Sequence, residues 1–428
     1  MNTRIGFCCK WLNDPTECGG MKVNAVDRDL NGRSTTMRWL REHASEADQR
    51  QWDIMNHNAT AAVKMIERVA TLPADRRMVR LGSEMLQGYT EPNWIAWWQR
   101  PEIQDHCAKI FAPIGEAARK YGVRLSFHPG QFCVLASEAD EIVERSILEF
   151  EYHADMARWM GYGNTWHDNG FKINVHLSGK GGPAKFLRTL GRLSPEARNL
   201  ITIENDEMTN GLDTTLAVAQ HVALVLDLHH HWINSGEYIT AQDDRVKRVI
   251  DSWRGARPAL HYSVSREDVL VDHDRGTRPD LAELLARGYK KQKLRAHSDF
   301  YWNDAVTDWA VTFAEDFDIQ CEAKGKNLAS EQVYERYILN TFDWIRDDFK
   351  SNRIRFAVEL LAWAISIGCS ITMALTVPTP PLLTLYPIWI AGCAMYAWAS
   401  WTRKSFGMLA NYILLVTIDS VGLARMIL

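Results

Sequence analysis

At 428 residues, with 46% hydrophobic and 24% charged side chains, the chain has an ordinary globular composition and exceeds one average domain. Its formal net charge of −4 excludes a globally basic nucleic-acid binder, so any affinity for DNA must come from local basic patches. Eight cysteines without a CxxC pair argue against a zinc ribbon or a disulfide framework, and the opening run MNTRIGFCCKWLND has no long apolar core, so a reduced cytosol is the expected compartment.

In chain order, the first expected strand is Arg4–Cys9, followed by a long, charged connection from Leu12 to Trp52. Helical periodicity over Asn56–Thr71 leads to a second strand at Met78–Gly82, and over Ile103–Tyr121 to a third at Val123–His128. A helix at Ala139–Met160 precedes a fourth strand, Phe171–Leu177, and Leu200–Glu204 is the fifth. A helix at Leu212–Gln220 leads to Ala223–Leu228, then Ala259–Ser263. A second long connection, Val264–Ala296, carries the basic run RGYKKQKLR before the eighth strand, Phe317–Glu322. Strands alternating with helices imply an α/β fold with a parallel sheet, and eight such units imply a closed (β/α)₈ TIM barrel. The alternative is an open doubly wound sheet. No GxGxxG follows the first strand to support it, and no nucleotide cofactor is expected.

Beyond the barrel, assigned to 1–348, the region 349–428 holds three long apolar segments: Phe356–Val377, Leu382–Trp401 and Gly407–Ile427. Each suits a membrane span of roughly 20 residues. Aromatic residues stand near their ends (Trp363, Tyr386, Trp398, Trp401). Lys350, Arg353 and Arg355 precede the first segment and Arg403–Lys404 separate the second from the third, so the positive-inside rule puts the barrel in the cytoplasm and the C-terminus outside. Glu359, Asp419 and Arg425 count against a span, and the competing expectation is a buried helical subdomain.

The chemistry lies in where histidines and carboxylates fall. His128 ends the third strand, His176 is near the end of the fourth and Glu204 ends the fifth. Asp227 is at the end of the sixth with His230 three residues on, His261 is in the seventh, His297 and Asp299 precede the eighth, and Glu322 ends it. In a barrel these ends converge on one face, where catalytic residues sit. Imidazole and carboxylate donors without thiolates suit zinc, manganese or iron, and their number suits two or three ions bridged by a carboxylate such as Glu204. A single histidine is more commonly a packed residue, and His43, His57, His106, His153 and His221 are read that way. His229 and His231 compete with His230 as the partner of Asp227.

The runs RLSFHPGQF (124–132), INVHLSG (173–179), ITIEND (201–206), LVLDLHHHW (224–232), HYS (261–263), AHSDFYW (296–302) and CEAKGK (321–326) resemble, together and in this order, ultraviolet-damage endonucleases, TIM-barrel relatives of endonuclease IV. The resemblance spans about Arg4 to Arg346. It implies incision of double-stranded DNA on the 5′ side of ultraviolet photoproducts and other lesions, two or three divalent ions (manganese first, zinc or magnesium otherwise), and a barrel taken as monomeric. The implied metal ligands are His128, His176, Glu204, Asp227, His230, His261, His297 and Glu322, with Asp299 added; Glu204, His230 and Glu322 are the implied catalytic set. Gln131 and Phe132 match a pair that probes the gap left by an extruded lesion, and Phe7 and Trp11 stand where the family faces it. Lys290, Lys291 and Lys293 are candidate phosphate contacts. Phe7 replaces a usual Tyr, Trp11 lies near a usual Asn, and Ala259 stands where the family has a lysine linked to the metals. An endonuclease IV-like apurinic-site nuclease, a xylose-isomerase-like sugar isomerase and a membrane-bound DNA-binding barrel without activity are the other expectations.

Overall fold

All eight expected apolar runs are strands in the computed structural model, which describes residues 3–14, 27–341 and 343–428. They are β1 (Ile5–Cys8), β2 (Met78–Arg80), β3 (Arg124–Phe127), β4 (Lys172–His176), β5 (Ile201–Glu204), β6 (Ala223–Asp227), β7 (Ala259–Tyr262) and β8 (Asp318–Cys321). Each pairs in parallel with its neighbour in sequence, and β8 closes on β1 with Ile5 opposite Ile319. Gly6 permits the β1–β2 approach, because a Cβ there would stand 2.4 Å from the Met78 carbonyl oxygen.

Side chains alternate across each strand. Leu125, Phe127, Ile173, Val175, Ile201 and Ile203 are buried in the main apolar core, which they share with the helices Ala44–Ala70, Pro101–Tyr121 and Asp140–Trp159. The alternate positions hold Ser126, Asn174, Thr202, Glu204, Asp227, His261 and Gln320, all buried. A polar barrel interior departs from the usual layers of Val, Ile and Leu. Some of its groups are partnered within the interior: Thr202 Oγ1 donates to Asn174 Oδ1 at 2.8 Å, and the Asn174 amide donates to Glu204. At the N-terminal end of the barrel, Asp318 accepts from Arg124 (2.8 Å) and Arg257 (3.0 Å), with Arg4 at 3.4 Å.

Two expected elements differ. The helix expected from Asn56 begins at Ala44, because the charged stretch before it hides a buried stripe of Ala47, Gln51, Ile54 and Met55. The expected helix Leu212–Gln220 is a short α-turn, Leu212–Thr215, followed by a 3₁₀ turn, Leu216–Val218.

The chain divides into Met1–Tyr337 and Ile338–Leu428, a boundary inside the helix Lys326–Thr341 and upstream of the expected 348. The second unit contains three long apolar helices, Arg353–Leu375, Leu382–Thr402 and Phe406–Ile427. Within it Arg403 donates to Glu359 (Nε, 2.7 Å) and to Asp348 (2.7 Å), while Arg355 also holds Asp348 (2.7 Å). The Tyr396 and Tyr412 rings stack with centroids 4.7 Å apart.

Asp318 supplies a test of the barrel's base. Burial opposes its charge, but Arg124 and Arg4 outweigh burial and hold the carboxyl below the usual carboxylate range. A depressed folded value means that its stabilisation is complete above the unfolded value, near pH 4, and is lost as pH falls below it. Asp318→Asn should therefore cost about 3 kcal/mol at neutral pH, as for a broken buried ion pair. Urea unfolding followed by tryptophan fluorescence checks this; the difference between variant and parent should shrink as the pH falls from about 5 to 3.

Candidate metal centre

The C-terminal ends of the strands place three overlapping donor groups around one carboxylate. His128, His176 and Glu204 form one; Glu204, Asp227, His261 and Glu322 form another; His176, Glu207 and His230 form the third. Within each group the ligand atoms lie within 4.8 Å of one another. Glu204 belongs to two groups and His176 to two, so the groups are one continuous cluster.

Local structure aims these side chains. Asp227 Oδ1 caps the helix Leu228–Ser235 by accepting the His230 backbone N–H at 2.7 Å, which fixes His230 three residues on. His230 Nδ1 stands 3.3 Å from Glu204. His128 Nδ1 lies 2.8 Å from the Pro129 carbonyl, which sets the donor on that nitrogen and leaves Nε2 facing Glu204 at 3.4 Å. His297 is oriented the same way by the Glu322 carbonyl at 3.2 Å. Arg80 grips the Glu322 carboxylate from β2.

The electrostatics describe an uncompensated polar cluster. Burial disfavours a charged Glu204, but His261, His176, His128 and His230 outweigh burial and hold it well below the usual range. Asp227 goes the other way: burial pushes it well above, with Glu204 and Glu322 adding to the rise and His230 opposing it. Burial lowers His261 to about 4, so its imidazole is neutral and able to ligate. Glu204 Oε1, Asp227 Oδ2 and His261 Nδ1 are buried without a hydrogen-bond partner. Unpartnered buried oxygens and nitrogens are costly, and three of them at one place fit a divalent cation.

Lys172 on β4 belongs to this cluster, although the sequence reading passed over it. Its Nζ is 2.9 Å from His261 Nε2, inside the barrel. Burial first, then Arg80 and Arg124, lower its amine to about 7, against Glu204 and Glu322. A neutral amine can accept from Nε2–H, which frees Nδ1 toward Glu204 (3.1 Å) and Glu322 (3.3 Å). Ala259 leaves β7 without the lysine that the resemblance implies there, and Lys172 reaches His261 from β4 inside the barrel. Glu207 was missed as well; its signal is the run of acids ENDE that continues from the end of β5.

The remaining expected residues divide. His229 is held by Ser263 (2.9 Å) and Ser265 (3.2 Å), and His231 by Glu237 (3.2 Å), so of the three neighbours only His230 faces the cluster. Asp299 stands apart: its side chain is 71% exposed and pairs with Lys324 at 3.3 Å, because the loop turns it outward before β8. Phe7 is 1% exposed and packs edge-on against Trp11 at 5.7 Å, so its ring supports the floor and does not reach the surface. Trp11 is half-buried beneath Arg68.

A cavity of about 540 Å³ runs over the cluster, lined by Gln131, His176, Glu207, His230, His297 and Arg295 among others. Phe132 projects beside it, 83% exposed. Lys290, Lys291 and Lys293 do not line this cavity, and Lys291 is tied to the Asn234 carbonyl at 2.9 Å. Gln292 and Arg295 of the same segment do, with Arg295 bound to Glu207 at 2.9 Å.

Comparison with known proteins places this geometry. A family model described as UV-endonuclease UvdE matches residues 17–356. A UV DNA damage endonuclease of Bacillus velezensis is 26% identical over 270 residues, covering 60% of this chain and 74% of that protein. A UV-damage endonuclease of Neurospora crassa is 27% identical over 215 residues, covering 46% of this chain and 32% of that protein. The crystal structure of SacUVDE shares the fold, with a TM-score of 0.56 at 21% identity over 80% of this chain and 99% of that one. Matched over most of its length, the chain is an endonuclease that belongs to the UV-endonuclease UvdE family.

Proposed function

We propose that the barrel is a divalent-metal-dependent endonuclease that nicks the backbone of duplex DNA on the 5′ side of ultraviolet photoproducts. The observation that carries the metal dependence is the set of three unpartnered buried atoms, on Glu204, Asp227 and His261. His128, His176, Glu204, Asp227, His230, His261 and Glu322 would hold two or three ions, and Glu207 joins them on geometry. His297, in none of the three donor groups, lines the cavity above them and would complete the set. Bound cations, manganese first with zinc or magnesium as alternatives, would neutralise charge at the scissile phosphate. The chain's own residues prepare that site: Arg80 fixes Glu322, Lys172 orients His261, and Arg295 offers a cation at the cavity wall. Gln131 and Phe132 stand where they can enter the space vacated by an unstacked lesion.

We further propose that the second unit anchors the protein to a membrane, with the barrel on the cytoplasmic side. Its helices bury little of their most apolar stretches within the structure, and Leu375, Trp401 and Phe406 are largely exposed. Glu359, an obstacle to a span by itself, is neutralised by Arg403.

Glu204→Gln removes one formal charge with little change of volume. It should reduce nicking of irradiated duplex by about 1000-fold or more and leave circular dichroism unchanged; nicking near the parent rate would sink the metal assignment. Replacing Gln131 and Phe132 together by Ala should weaken binding of damaged duplex about tenfold or more, since stacking contributes roughly 1–3 kcal/mol per base. Undamaged duplex should bind as before in the same gel-shift series, and equal losses on both would make the pair merely structural. Alkaline carbonate extraction should leave the full chain in the pellet, while a chain ending at Asp348 should be soluble and still nick. Release of the full chain into the supernatant contradicts the anchor.

A further inference from the structure

The opposite end of the barrel holds a polar site that the nuclease reading leaves unused. A cavity of about 320 Å³ opens at the N-terminal ends of the strands, lined by Arg4, Arg119, Arg124, His167, Asn169 and Arg257 together with backbone and apolar groups. No carboxylate lines it among the described residues. Behind it, one carboxylate, Asp318, serves three guanidiniums, those of Arg124 (2.8 Å), Arg257 (3.0 Å) and Arg4 (3.4 Å). Arg119 adds a fourth, held by the Met160 carbonyl at 2.9 Å. The cluster therefore carries more positive than negative charge even with Asp168 acting on Arg119; Arg124 is buried, Arg4 and Arg257 are partly so, and Arg119 is exposed.

Arg257 is saturated by Asp318, Thr3 and main-chain carbonyls, but Arg124 is not. Arg124 is 3% exposed, yet its Nη2 has no hydrogen-bond partner. His167 lines the same cavity; its Nδ1 is taken by the Phe171 carbonyl at 3.0 Å, and its Nε2 is buried and unpartnered. Burial, with Arg4 and Arg257 adding to it, destabilises the charge on Arg124 against the pull of Asp318. An anion would relieve Arg124, since a planar fork of donors suits oxyanions. His167 is held neutral by burial and its Nε2 is an acceptor, which a protonated phosphate oxygen would satisfy.

We propose that this cavity binds a phosphate group, either inorganic phosphate or the phosphate of a small phosphomonoester, through Arg124 Nη2 with Arg119 and Arg4. A dianion answers an excess of more than one charge better than a single carboxylate does. The ligand is separate from the scissile phosphate, because the metal donors stand at the other ends of the same strands. The cavity accepts a phosphate with a small substituent by volume.

The test is isothermal titration of the detergent-solubilised full chain at constant ionic strength, with inorganic phosphate and, separately, ribose 5-phosphate. Saturable binding with a dissociation constant of about 1 mM or tighter is expected for at least one probe. Tighter binding of ribose 5-phosphate identifies an organic ligand, and binding of phosphate alone identifies an ion site. Arg119→Gln should weaken binding about tenfold, the effect of losing one charge-assisted hydrogen bond. Asn169→Asp should do the same by adding a negative charge to the lining; Asn169 is exposed and at φ 53°, a conformation Asp tolerates, so this variant decides if Arg119→Gln does not fold. His176→Ala, on the metal face, should leave the binding in place. Absence of saturable binding, binding that neither cavity variant moves, or binding lost in His176→Ala would each overturn the proposal.

Discussion

Glu204 has no exposed surface, and its charge must be answered where it stands. Strands β3, β4 and β7 and the start of the helix after β6 each bring an imidazole toward it: His128, His176, His261 and His230. Four imidazoles around one carboxylate are a poor substitute for a metal cation, since each ring must also find a partner for its second nitrogen. That requirement explains the outer contacts, in which Pro129, Glu322 and Lys172 hold the far sides of His128, His297 and His261. Parallel strands alone bring all these ends to one face, so the cluster presupposes the closed barrel.

The same requirement shapes the barrel interior. A column of buried polar residues, from Asp318 and Arg124 at one end through Thr202 and Asn174 to Glu204 at the other, replaces apolar layers. Such a column adds little hydrophobic stabilisation, and each member costs free energy if left unpaired. The fold is held instead by the shell between strands and helices, where Leu125, Phe127, Ile173 and Ile203 pack with Phe111, Phe150 and Met156. Interior and shell thus divide the work. The shell supplies stability, and the interior supplies a pre-organised set of charges.

Much of this was legible in the sequence because barrel strands are short apolar runs whose last residue faces the catalytic end. INVH, ITIE and LVLD each put a donor at that last position, and HPGQF puts His128 one residue beyond the end of β3. Register within a strand was not legible: Lys172 opens β4, far from His176 in the chain's own direction, yet its long side chain reaches up the interior to His261. Asp299 was misjudged because proximity to His297 in sequence says nothing about which way a loop residue turns. Phe7 has an aromatic's chemistry but a core residue's burial, and only packing against Trp11 reveals it. The lysines of the basic run are displaced from the cavity by one short helical turn, Lys291–Leu294, which brings Gln292 and Arg295 inward instead. In the second unit length and hydropathy gave the three helices, whereas the pairing of Glu359 with Arg403 required their tertiary arrangement.

The central claim is that the cluster around Glu204 holds divalent metal. Anomalous diffraction at the manganese edge, from crystals of the protein grown with manganese, addresses it without relying on activity. The account predicts two or three anomalous peaks within coordination distance of the cluster, with Glu204 touching at least two of them. Peaks elsewhere on the surface, with none beside Glu204, Asp227 and His261, would contradict it.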